Sequence, residues 1–479
     1  MSDKLTIGLI RASLPSYFPE KYDVWSRADS ALSALCEQES AELFVASSIP
    51  MNARDTQQAL DECAAAGADF ILLLHGGFTM GDVARTIAAA PVKAGFWSVP
   101  EPVRTGDVQL NNFVSLNMSM SIARLVRDLK QHPVQWYHGA PESDALISRM
   151  RTTIKALSAQ KQLAQARIGV IGGLAMTFYN MEVSTNALKS KLGVEVAHHD
   201  MHELTQRMDS IDDDRATREL DLIKRAATVS GVSDEQMMLQ SKAVLAMHDI
   251  STENNYAALA VSDWPALQEY PGFHPGAAFS WLEEQYQLAV ASEGDVLGAV
   301  TQLVAKSISG RVGYLLDMTE PDLDTGQLLM WHGGGGPLYY ADDDGVRWIN
   351  HPMIGRGTEQ GPIYGAIADF VFRDGPVSVF RIARDGSALF QMNSVIAGRD
   401  PSGFTGCRGW LEAFSMQGDS LTLEDTVNTV MAHGLEHHFI LVPGDVSAVL
   451  AEFGAWSAMQ TLGPRLAKPY LCAEDFSQG

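Results

Sequence analysis

Residues Ala166–Ile171 read ARIGVI and run straight into Gly172-Gly173. A short apolar run closed by two glycines is the signature of a buried strand ending in a tight turn. A helical pattern follows over Met181–Leu192, then a second strand at Val194–Ala197. Strand, turn, helix, strand is how a parallel-sheet unit begins, and here it begins in mid-chain. Upstream, a helical stretch from about Asp144 to Ala164 separates it from an earlier unit of the same texture. That unit holds the strand candidates Leu5–Ile10 (LTIGLI), Glu42–Ala46, Phe70–Leu74 (FILLL) and Val92–Trp97. Between them, Tyr22–Cys36 and Thr56–Ala66 carry the i, i+3, i+4 spacing of amphipathic helices. The two units share a pattern but no repeated sequence.

Downstream, the second unit continues through Glu219–Met247 and Tyr256–Val261, and beyond Gly310 the texture changes. Short β-rich runs (Arg311–Asp317, Gln327–Met330, Ile367–Phe372, Val377–Ala383, Ala388–Asn393) are separated by turn signals such as Asp344-Gly345 and Asp385-Gly386. Such spacing predicts antiparallel hairpins. The expected fold is therefore α/β: two Rossmann-like parallel-sheet domains (1–165 and 166–310), then a β-rich, largely antiparallel C-terminal domain (311–479).

Composition narrows the function. The chain has 479 residues, 46% apolar and 19% charged, enough for several hydrophobic cores. A formal net charge of −23 repels polyphosphate and argues against nucleic-acid partners, while favouring cations. Asp212-Asp213-Asp214 reads as a solvated turn rather than a ligand set. Four scattered cysteines, with no C-x-x-C pair, argue against a zinc ribbon or a disulfide framework. No run approaches the ~18 to 20 apolar residues of a membrane span, and the N-terminus lacks a secretory pattern, so a cytoplasmic protein is expected.

The chemistry-bearing residues cluster in the second half. Ser292-Glu293-Gly294-Asp295 lies between an apolar run, Leu288–Ala291, and a helical one, Leu297–Ile308. Glu293 thus sits at a strand-to-helix junction, where open α/β sheets bind ligands. Asp317 closes the apolar run Val312–Leu316, one helix further on. Trp331-His332 ends another strand, and Glu436-His437-His438 precedes the run Phe439–Val442. Two carboxylates with one or two imidazoles suit a divalent metal of the manganese, cobalt or magnesium kind. Taken singly, each residue also has a plain structural reading, as a helix cap or a buried histidine.

The wording around these residues resembles the L-fucose isomerase and L-arabinose isomerase family. The similar segments are Ala257–Leu267 (AALAVSDWPAL), Ala291–Ala299 (ASEGDVLGA), Leu315-Leu316-Asp317 and Gly375–Arg384 (GPVSVFRIAR). The resemblance implies a metal-dependent aldose–ketose isomerase with three domains. It also implies a homo-oligomer, trimer or hexamer, whose active sites are shared between subunits. It places the metal, Mn²⁺ foremost, on Glu293, Asp317 and His438, with His437 the neighbouring possibility. The same two acids become the acid/base pair of an enediol mechanism, a hydride shift being the other route. His332 falls where the arabinose branch has an additional histidine, and Arg11, after the first strand, where the fucose branch has a substrate-reaching arginine. His75, Trp97, Gln240 and Trp264, read as lying near strand ends, are further substrate-binding candidates. Gly172-Gly173 lacks the Lys-Ser/Thr of a phosphate loop, which favours a free sugar, whether pentose, hexose, 6-deoxyhexose or C6-anionic. The rival readings are a non-catalytic sugar-binding or sensor protein and a metal-dependent epimerase or aldolase.

Overall fold

The computed structural model describes residues 4–333, 335–354, 364–398, 403–466 and 469–471. The chain divides into two compact units, one of Met1–Gln162 with Ala451–Ala458, the other of Leu163–Leu450 with Met459–Gly479.

In the first unit the strands are β1 (Thr6–Ala12), β2 (Glu42–Val45), β3 (Phe70–His75), β4 (Lys93–Ser98) and β5 (Val134–His138). They form one parallel sheet in the order β2-β1-β3-β4-β5. Every residue of β3 is buried, as expected of a strand covered by helices on both faces. Val83, Ile87 and Leu116 from the covering helices pack on Ile10, Ile71, Leu73 and Phe96 of the sheet.

The second unit opens with β6 (Arg167–Ile171), β7 (Glu195–His199), β8 (Thr228–Ser230), β9 (Ala258–Val261), β10 (Phe273–His274) and β11 (Ala289–Ala291). Four of these make a second parallel sheet, β11-β9-β6-β7. Asp212 is not in a solvated turn: its side chain accepts from the Arg215 N–H and caps the helix Asp213–Ala226, with Asp213 and Asp214 in the first turn. Acids there complement the positive end of the helix dipole.

The remaining strands are β12 (Tyr314–Asp322), β13 (Gln327–His332), β14 (Arg347–Asn350), β15 (Tyr364–Val371), β16 (Gly375–Ala383), β17 (Ala388–Ala397), β18 (Cys407–Met416), β19 (Asp419–Ser420), β20 (His438–Pro443) and β21 (Gln460–Thr461). They belong to a mixed, largely antiparallel sheet that also recruits β8 and β10. Within it, β17-β16-β20-β12-β13-β18 pair antiparallel in succession, and β18 pairs back to β17. Six strands thereby close into a barrel with no free edge among them. The β16–β17 hairpin turns at Arg384-Asp385, both in the left-handed region at φ 53°, with Gly386 following at φ 81°. Positive φ at consecutive positions keeps the strand twist across a tight turn. Two parallel α/β sheets followed by a β-rich sheet is the architecture expected from the sequence. Among the described residues, no helix is long and apolar enough to cross a membrane.

Beneath the barrel, Glu283 on the helix Gly276–Gln285 is wholly enclosed. It accepts from Gln302 (2.6 Å) and from the Val290 N–H (3.3 Å), and its second oxygen has no partner. Burial pushes this carboxyl up to about 8 from an ordinary 4.5, against those two hydrogen bonds. The folded protein therefore holds a proton that the unfolded chain releases, so stability is lost as pH rises through that window. Glu283→Gln, which cannot ionise, is expected to lose less unfolding free energy between about pH 5 and pH 8 in urea titrations. An identical slope in the two proteins contradicts a neutral Glu283.

Candidate metal centre

β11 stops at Ala291, and the chain makes one tight turn, Ser292–Gly294, before the helix Val296–Ser309. Glu293 occupies this turn with φ 61° and ψ 12°, a left-handed conformation that costs a non-glycine residue on the order of 1–3 kcal/mol. The turn is held in place from both sides. The Glu293 N–H donates to Asp263 (2.7 Å), and its carbonyl accepts from the Ala175 N–H (2.9 Å). Next to it, Gly294 (φ 74°) lies so close to the Gly172-Gly173 loop that a Cβ would stand 2.1 Å from the Gly173 carbonyl oxygen.

The barrel supplies the other side. Asp317 and His438 face each other in register across β12 and β20, and Trp331 of β13 lies opposite Asp317. Three adjacent strands thus bring Asp317, His332 and His438 to one end of the barrel. The Glu293 carboxylate reaches His437 Nε2 (3.2 Å) and His438 Nε2 (3.4 Å), and the ligand atoms of Glu293, His437 and His438 all lie within 4.8 Å of one another. Asp317 Oδ1 is 3.9 Å from His438 Nε2. Neither Asp317 Oδ1 nor His438 Nε2 has a hydrogen-bond partner, although both are buried. Buried polar atoms left in this state, converging from two acids and two imidazoles, fit a divalent cation. The three residues whose ligand atoms lie this close include His437, which the sequence offered as the neighbouring possibility to His438, while Asp317 stands just outside them.

Charge around the cluster is uneven. Burial, partly offset by His438 and His437 and reinforced by Glu293, pushes the Asp317 carboxyl up to about 6. Burial, with the neighbouring imidazoles, holds His332 well below the ordinary histidine value. Beneath His438, its Nδ1 meets Asp295 Oδ2 at 3.0 Å, and Asp295 also caps the helix Val296–Ser309 through the Gly298 N–H. Burial opposes the charge on Asp295, but Arg381 and His438 prevail and keep it ionised far below the usual carboxylate range.

A cavity of about 360 Å³ opens over the cluster, lined by Glu293, Asp317, His332, Ser292, Asp263 and His274 together with Phe178, Trp264, Trp331 and His351. Of the substrate-binding candidates, Trp264 does line it, its ring centroid 6.0 Å from that of Phe178. Gln240 does not lie at a strand end: it is in the interior of the helix Asp234–Asn254, fully buried, bonded to the His274 carbonyl and the Ala278 N–H. The other three belong to the first unit. His75 is fully buried against Ser119, with burial lowering it to about 3, and Trp97 is sealed with its indole N–H on the Gly139 carbonyl. Arg11 pairs with Asp29 at 3.2 Å. Sequence reasoning overlooked Asp263, His274 and Arg381. A lone arginine inside the apolar run VFRIA was the available signal for the last.

Three relatives of this chain share one activity, and the chain is an enzyme of that class, an aldose–ketose isomerase and hence an intramolecular oxidoreductase. The relatives carry the name sulfoquinovose isomerase. That of Priestia megaterium (strain ATCC 12872 / QMB1551) is 26% identical over 373 residues, spanning 76% of this chain and 78% of the relative. That of Alkalicoccus urumqiensis is 25% identical over 362 residues (75% and 77%), and that of Clostridium sp. (strain MSTE9) 23% over 362 residues (73% and 76%). No family model matches the chain. A solved structure of the XylFII-LytSN complex overlays at a TM-score of 0.17 with 10% identity, over 56% of this chain and 82% of that one, too loosely to inform the fold.

The tightness of the Glu293 turn is testable. Gly294→Ala combines a disfavoured φ with a backbone clash, and should lower unfolding free energy by about 2 kcal/mol or more. Chemical denaturation at wild-type stability would mean that the Gly172-Gly173 loop does not brace the turn.

Proposed function

We propose that this cavity converts a free aldose to its ketose with the help of a divalent metal, Mn²⁺ foremost, in the manner of the L-fucose/L-arabinose isomerase family. The observation that carries the reading is the cluster itself: Glu293, His437 and His438 within ligand distance of one another, Asp317 beside them, and two buried ligand atoms without partners. Glu293, His438 and Asp317 or His437 would hold the metal. Such an ion supplies Lewis acidity toward neighbouring carbonyl and hydroxyl oxygens.

Moving a carbonyl from C1 to C2 requires a proton to leave one carbon and reach the next, and another to pass between the two oxygens. We assign these transfers to Glu293 and Asp317, which approach from opposite elements, the α/β turn and the barrel strand. Both carboxylates line the cavity, within reach of a sugar held there, as transfer between neighbouring atoms requires. Trp264, Phe178 and Trp331 offer faces against which the apolar C–H edge of a sugar ring stacks, and their cavity falls within the roughly 300–1,000 Å³ of small-molecule sites. The names of the relatives make sulfoquinovose, a sugar with an anionic C6 substituent, the first substrate to test. We further propose that the enzyme works as a homo-oligomer, to be measured by light scattering.

Protein stripped of metal, verified by elemental analysis, should be inactive toward this substrate and regain activity with Mn²⁺. Glu293→Gln should lower kcat by ~10²–10⁴-fold, the usual worth of an acid–base group, without changing the fold. Turnover by the metal-free protein, or wild-type turnover by the variant, contradicts the assignment.

A further inference from the structure

His438 is held by a chain of charges that reaches through the protein interior. Its Nδ1 lies 3.0 Å from Asp295 Oδ2, and both residues are fully buried. A carboxylate only accepts, so this ring nitrogen must carry the hydrogen. Asp295 is in turn gripped by Arg381 of β16, whose two terminal nitrogens bond its two oxygens at 2.8 and 3.1 Å. The same guanidinium donates to the His438 carbonyl (2.9 Å) and to Glu436 (3.1 Å), and it is wholly enclosed.

We propose that Asp295, locked by Arg381, is a positioning residue that makes Nε2 of His438 the metal-binding atom. With a hydrogen pinned on Nδ1, the neutral ring has its lone pair on Nε2, which points at Glu293 and Asp317 and has no hydrogen-bond partner. A carboxylate behind a ligating imidazole also raises its electron donation to the metal. His437 is held differently. Its Nδ1 accepts from Asn180 Nδ2 at 3.0 Å, and a side-chain amide, unlike a carboxylate, can turn to present its oxygen instead, so this partner does not fix the tautomer of that ring. The two adjacent histidines are therefore unequal: His438 is a permanent ligand and His437 an adjustable one. The idea rests on the metal reading above.

The test is Mn²⁺ affinity, by calorimetry on the full chain, for wild type, Asp295→Asn and Glu436→Gln. In Asp295→Asn the introduced amide can turn its N–H₂ toward Nδ1 and reverse the tautomer, and loss of such a partner weakens metal binding by ~10–100-fold. Glu436→Gln weakens the hold on Arg381 without touching the ring, and should lose less affinity than Asp295→Asn. Folded Asp295→Asn with wild-type affinity overturns the inference, as does an equal loss in Glu436→Gln. Should Asp295→Asn fail to fold, ¹⁵N-histidine spectra of wild-type protein loaded with diamagnetic Zn²⁺ decide, with His438 assigned by its absence from His438→Gln. Hydrogen on Nδ1 and metal on Nε2 are expected, and the reverse overturns the proposal. A wild-type protein that binds no Mn²⁺ overturns the metal reading itself, which separates the two failures.

Discussion

One buried positive charge organises the second unit. Arg381 sits where no water reaches, so each of its N–H groups must find an acceptor inside the protein. It finds Asp295 at the head of a helix, the His438 carbonyl at the start of β20, and Glu436 just before it. Removing one member of such a set leaves an uncompensated charge, at a cost of about 3–5 kcal/mol. That asymmetry ties three elements from distant parts of the chain to a single point. The side chains of the candidate metal centre are mounted around that point.

Two architectures meet there, and each contributes what the other lacks. A parallel sheet ends its strands at one edge, where a turn can project a side chain into open space; Glu293 is projected in this way, in a strained conformation that the Gly172-Gly173 loop and Asp263 enforce. A closed antiparallel barrel keeps neighbouring strands in strict register, which places Asp317 directly across from His438 and one strand from His332. A flexible turn alone would not hold ligand atoms within a few ångströms of one another, and a barrel alone would have no edge at which to gather them. The cavity above is lined both by the rings of Phe178, Trp264 and Trp331 and by the polar side chains of the cluster.

Much of this was legible in the residues. Apolar runs such as LTIGLI, FILLL and ARIGVI read as strands buried on both faces, and the change to short runs punctuated by Asp-Gly turns marks where parallel pairing gives way to hairpins. Glu293, Asp317, His332 and His438 each end or begin such a run; three of them do lie at strand ends, whereas β12 continues past Asp317 to Asp322. What was not legible depends on distance along the chain. Barrel closure rests on β17 pairing with β18, a register no local pattern encodes. Gln240, His75 and Trp97 looked like site residues because a polar or aromatic side chain beside an apolar run reads the same whether it faces a cavity or a neighbour's backbone. Asp295 stood in the quoted segment ahead of the helical run with no role assigned, and its place behind His438 comes from a contact 143 residues away.

Proton NMR of the metal-loaded protein with sulfoquinovose in D₂O, alongside a panel of free pentoses and hexoses, tests the central claim most directly. The account predicts that one sugar is converted between aldose and ketose, with deuterium entering at the carbon next to the carbonyl, because carboxylates in contact with solvent carry the proton. Conversion without deuterium would contradict the carboxylate relay and favour direct hydride transfer, and no conversion of any sugar by protein shown to hold its metal would contradict the account as a whole.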